Sequence, residues 1–122
     1  MITHPSAFEL AQALATFDGA SAGDARTTFL ARVADNARAT LEREAALGPA
    51  AEVAATGRLR ALLNLEGDFA GLNAELCARL RDGRLSALDP AVLAHLRASV
   101  IDQIAIDQPG YSGLAALEAS PA

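Results

Sequence analysis

The sequence predicts an all-α fold, an antiparallel bundle of four to five helices joined by short turns. Three observations carry this. Apolar residues recur at helical spacing in one segment after another, each bounded by capping or breaking residues. No window alternates apolar and polar residues with β-branched enrichment, so strand signals are nearly absent. Alanine and leucine dominate, with four Phe, one Tyr and no Trp, a composition that suits close helix packing. At 122 residues the chain supports one core and not two, so 1–122 reads as a single helical domain with 1–5 and 112–122 as mobile ends.

A first helix is expected over 6–17, where Leu10, Leu14 and Phe17 form a stripe extended by Ala7 and Ala11. Asp18-Gly19 stops it, and a Gly/Ser/Ala loop follows. The axis of the chain is 24–47. Asp24 caps its start, and its charge suits the positive helix end. Phe29, Leu30, Val33, Ala34, Ala37, Leu41 and Leu47 gather on one side, and Arg32, Asp35, Arg38 and Glu42 on the other. Glu44 breaks the pattern by projecting into the apolar face. Either it reaches water near the helix end, or it pairs with an arginine from another helix, because an uncompensated buried charge costs several kcal/mol or more. Gly48-Pro49 is expected to end the helix.

A third helix over 50–63 uses Ala51, Ala55, Leu59 and Leu62, with Gly57 weakening its middle by about 1 kcal/mol. After a turn at Glu66-Gly67-Asp68, Asp68 caps a helix over 69–81 that ends at Gly83. Its apolar face is Phe69, Leu72, Leu76 and Leu80, with Asn73 and Cys77 on the same side. Asp89-Pro90 is the clearest start signal, an N-cap aspartate followed by proline at N1. That last helix, over 90–107, stops before Pro109-Gly110, and an extended or mobile tail follows in which Leu114 and Leu117 are placed to dock locally. It carries two apolar faces. Val92, Leu93, Leu96, Val100 and Ile104 make one; Ala94, Ala98, Ile101 and Ala105 make the other, about 120° away, and Ile106 lies outside both. A helix apolar nearly all round is buried. It is therefore central in a monomer, or its alanine-lined face is the interface of a homodimer.

The formal net charge is −5, which argues against nucleic-acid binding, and aromatics are too few for base stacking. All ten basic residues other than histidine are arginine, a usage that reads as GC-rich coding rather than a need for guanidinium chemistry. One cysteine excludes an internal disulfide and suggests a reducing compartment. No signal peptide and no apolar run near the ~18 residues of a membrane span is visible. The expectation is a cytoplasmic protein that binds neither nucleic acid nor membrane.

Motifs for chemistry are scarce. There is no P-loop, no dinucleotide fingerprint and no lysine. His4 and His95 lie in no HxxxH or ExxH pattern, so neither metal nor cofactor is expected. Cys77 reads as an inert packing thiol. His95 reads as a surface histidine on the polar side of its helix; Arg97 stands one residue out of register for a phosphotransfer helix. Asn36, Glu44, Asn73 and Gln103 fall on inward faces, with Arg97 and Arg81 as further candidates. They are either scattered half-buried groups or the lining of a polar pocket between helices. No nucleophile–base pair or spaced carboxylate pair is evident, so no catalytic residue is assigned.

Three runs, FLARVADNARATLEREAALGP (29–49), GDFAGLNAELCARLRDGRL (67–85) and DPAVLAHLRASVIDQIAIDQPGY (89–111), resemble a small bacterial helical family of unknown function. The resemblance implies a place beside, or fused to, aminoglycoside-phosphotransferase-like kinases and near acyl-CoA dehydrogenases. It draws attention to Arg32, Asn36 and Asn73, which lie within the matching runs. The function expected is a non-enzymatic accessory module partnering such a kinase. The alternative is a small-ligand-binding bundle whose polar pocket lies between helices.

Overall fold

Helix is the state that an Ala- and Leu-rich chain with helical apolar spacing adopts. The computed structural model describes residues 5–18 and 25–120 and contains no strand among them. Its elements are α1 (Ala7–Asp18), α2 (Ala25–Leu63), α3 (Phe69–Arg81), α4 (Pro90–Asp107) and α5 (Leu114–Ala119). The fold is all-α. Helix α2 is its spine: α1, α3 and α4 each pack on it, and α5 packs on α4.

Local chemistry sets most boundaries. Ser6 and Glu9 form a capping box at α1, the Glu9 carboxylate accepting from the Ser6 N–H at 2.7 Å and the Ser6 hydroxyl accepting from the Glu9 N–H. Asp68 caps α3 by accepting from the Gly71 N–H at 2.8 Å. Asp89 caps α4 by accepting from the N–H groups of Ala91 and Val92, with Pro90 in the first turn. Asn64 stops α2 and Gly83 follows α3, both in the left-handed region, where asparagine and glycine are the tolerated residues. The N-cap assigned to Asp24, the loop before it and His4 lie outside the described residues.

Leu59 and Leu63 of α2 meet Leu72 and Leu76 of α3 in a buried cluster, edged by Leu62, Phe69, Leu80 and Leu85. The apolar faces expected of these segments are the ones buried. Helix α4 runs antiparallel to α2: Arg43 meets Ile106, Arg58 meets Asp102 and Ser99, and Leu62 shares a cleft with Ala91.

Two expectations are corrected. Gly48-Pro49 does not end the axial helix; α2 runs through it for 39 residues, about 58 Å at 1.5 Å per residue. Helix α4 spans the weak point, gripped on one side by Arg43 and on the other by Arg58. Gly48 is buried, and the Glu44 carboxylate lies over it, so that a Cβ there would meet Oε1 at 3.0 Å. Glu44 is therefore mid-helix, and the reading that it escapes to water at a helix end does not apply. The second correction is the tail, which is not extended: it folds into α5, with Leu117 docked as expected and the Leu117 and Ser120 carbonyls accepting from Arg97.

Arginine does more here than coding bias requires. Arg43 Nε donates to the Ile106 carbonyl in the last turn of α4 at 2.6 Å, Arg79 to the Leu63 carbonyl at the end of α2, and Arg97 to the end of α5. Each satisfies carbonyls that a helix C-terminus leaves without an intrahelical donor, and each places positive charge at the negative end of a helix.

Candidate functional site

Five residues of α4 face α2: Val92, His95, Ser99, Asp102 and Ile106. At 100° per residue they fall within about 80° of one another. Val92 and Ile106 are wholly buried, and His95 is 4% exposed. The inward strip is thus polar in its middle and takes only Val92 from the expected apolar faces, and Ile106, the residue outside both, is one of its anchors. Leu93, Leu96 and Val100, expected in the core, are 48%, 37% and 48% exposed. The reason lies on α2. Arg58 Nη2 meets Asp102 Oδ2 at 3.3 Å and Ser99 Oγ at 3.5 Å, and Arg43 holds the Ile106 carbonyl. Turning the leucines inward would strip these arginines of their partners, and a buried group left unpaired costs about 1–3 kcal/mol, more if charged.

His95 is the residue whose placement sequence reasoning missed. It is not on the surface but packed between α4 and α2, its main-chain carbonyl accepting from Ser99 Oγ at 3.0 Å. Its Nδ1 is buried without a hydrogen-bond partner, as is Arg58 Nε. The signal available in sequence was the spacing of His95, Ser99 and Asp102 along the same helical seam as Val92 and Ile106. His95 and Arg58 line a cleft of about 360 Å³ completed by Ala61, Leu62, Ala91 and Ala94.

Burial, and then the neighbouring Arg58 charge, push the His95 imidazole below its ordinary range. As pH falls through about 6.5 the unfolded chain takes up this proton before the folded one does, so stability declines in that window. Carboxylates held low, such as Glu75 beside Arg79 and Asp82 beside Arg84, titrate well below it. Between about pH 7.5 and 5.5, the unfolding free energy measured by denaturant titration should fall by at most about 1.4 kcal/mol per pH unit. His95→Gln should flatten that slope and His4→Gln should not; a slope that survives His95→Gln would refute the assignment.

The sequence-selected site residues do not converge. Arg32 and Asn36 are exposed on α2, and Asn73 is exposed on α3. Helix α3 packs around Leu59, about 35 Å along α2 from Asn36 at 1.5 Å per residue. Glu44 lies over Gly48, and Gln103 Nε2 donates to Asp107 Oδ2 at 2.6 Å on its own helix. Of these five, Gln103 alone lines any of three surface clefts, one it shares with Val100, Ile104, Tyr111 and Leu117. In the proposed dimer face, Ala94 is exposed while Ala98, Ile101 and Ala105 are half-buried beside the inward strip. Among the described residues no cluster of three or more His, Cys, Asp or Glu is placed to hold a metal ion. No helix among them is long and apolar enough to cross a membrane.

Fold and interface together define a small all-α domain built on one long helix. The chain belongs to the family described as a domain of unknown function, DUF6285, whose profile matches residues 21–111. The match takes in α2, α3 and α4 and leaves α1 and α5 outside. No curated protein and no solved structure matches the chain.

Proposed function

We propose that this domain is a non-enzymatic docking module and that its partner seats on the outward side of α4. The observation that carries the reading is the inversion of that helix. Leu93, Leu96 and Val100 face solvent while His95 and Asp102 face the spine. Contiguous exposed apolar surface of this kind marks interaction sites. Clefts flank it at both ends, one lined by Pro90, Leu93, Ala94 and Arg97, the other by Val100, Ile104, Tyr111 and Leu117 among others. That relief suits the apolar stripe of a partner helix, with anchors repeating every three or four residues. The partner proposed is an aminoglycoside-phosphotransferase-like kinase, which the resemblance in 29–111 implies.

Co-expression with such a kinase should yield a complex by light scattering. Val100→Glu should weaken it by about 2 kcal/mol or more, as expected of a hot-spot position, and leave the fold intact because the side chain is already half exposed. A complex indifferent to Val100→Glu sinks the reading. A homodimer abolished by Ile101→Glu, with no kinase bound, would replace it with self-association; retention of an acyl-CoA dehydrogenase instead of the kinase would change the partner.

A further inference from the structure

The cleft between α2 and α4 has the construction of a ligand site rather than of a packing fault. It is lined by a histidine that is 4% exposed and has one ring nitrogen buried without a partner. Beside it is an arginine whose Nε is also buried without a partner. The arginine is incompletely engaged. Its contacts to Asp102 and Ser99 are 3.3 and 3.5 Å, whereas Arg79 reaches Glu75 at 2.7 Å and Arg43 reaches its carbonyl at 2.6 Å. Charge-assisted hydrogen bonds ordinarily close to about 2.7–2.9 Å. The remaining walls are apolar and small: Ala61, Leu62, Ala91 and Ala94. A pocket of about 360 Å³ with mostly apolar walls and two convergent polar groups is of the size and make-up that binds small molecules.

We propose that this cleft binds a small monocarboxylate with a short apolar body. The carboxylate is held between the Arg58 guanidinium and the His95 imidazole, and the body lies on the alanine walls. A neutral imidazole offers one N–H donor, and the guanidinium offers the N–H groups that Asp102 and Ser99 leave free. Asp102 sets the charge selected. It already offsets the arginine and repels any anion, so a dianion such as phosphate meets more like-charge repulsion there than a monocarboxylate does. The site shares Ala94 with the cleft at one end of the outward side of α4, but its polar groups, Arg58 and His95, belong to the α2–α4 seam, so it is tested apart from the docking reading.

The test follows the His95 ring nitrogens by ¹⁵N NMR during titration with butyrate, with His4→Gln identifying the second histidine. Butyrate should shift the His95 signals saturably at millimolar concentration, while butyramide and inorganic phosphate should not. Arg58→Gln should weaken the response at least about tenfold. Ala61→Leu, which fills the cleft from an exposed position without touching a charge, should abolish it while the melting temperature holds. Val100→Glu should leave it unchanged. A response that stays linear, that phosphate or butyramide reproduces, or that survives Ala61→Leu overturns the proposal.

Discussion

Leu59→Ala should destabilise the domain by about 2–5 kcal/mol, the range for truncating a fully buried leucine. Leu59 has no exposed surface and sits in the cluster where α2 meets Leu72 and Leu76 of α3. The loss combines the transfer free energy of the removed methyls with the cavity left among leucines that cannot all collapse inward. Against a total stability of about 5–15 kcal/mol that is a large share. It should appear as a fall in melting temperature of roughly 10 °C or more. Leu88→Ala is the matched control: Leu88 is 81% exposed, and its truncation should stay within about 0.5 kcal/mol. Comparable losses at the two sites would show that the α2–α3 cluster is not the stabilising core.

Most helix starts and stops were legible where the chemistry is local, the Gly48-Pro49 pair inside α2 being the exception. Asp68, Asp89-Pro90 and Gly83 act within a turn of their own position, and the structure uses each as its residue type dictates. The apolar face of 69–81 was legible for a similar reason: one side of that helix is apolar and one side is buried. Helix α4 was not legible in this way. Being apolar nearly all round, it leaves the hydrophobic pattern silent about which side turns inward, and the choice falls to partners distant in sequence. Arg58 lies 41 residues from Ser99 and 44 from Asp102, and Arg43 lies 63 from Ile106. No single-helix wheel contains that information.

The same gap explains the candidate site. A pocket between helices was among the readings of the sequence, but the polar residues that suggested it, such as Asn36 and Asn73, are exposed and lie on well-separated parts of the fold. Arg58 and His95 sit on what the wheel makes ordinary polar sides. They become interesting only when α2 and α4 are brought together and two nitrogens are left without partners. Orphaned buried groups are a tertiary property, and reading them requires knowing what each helix faces.

Pro49→Ala should stabilise the domain, by an amount of the order of the 3 kcal/mol that an interior proline costs a helix. Proline at 49 removes the N–H that the Ala45 carbonyl would accept from, and its ring crowds the preceding turn. Gly48 relieves part of that crowding, because the restriction a proline places on the residue before it acts largely through Cβ. The rest is carried by α4, which joins the two halves of α2 through Arg43 and Arg58. Alanine restores the missing hydrogen bond at an exposed position where nothing else changes. The denaturant midpoint should rise with an unchanged m-value, since the surface exposed on unfolding stays the same. Gly48→Ala is the informative companion. It gains up to about 1 kcal/mol of helix propensity but drives a Cβ against the Glu44 carboxylate at 3.0 Å, so its effect should fall well short of that gain. If Pro49→Ala instead lowers the midpoint, α2 is two helices meeting at a bend, α4 docks onto that bend, and the continuous spine is refuted.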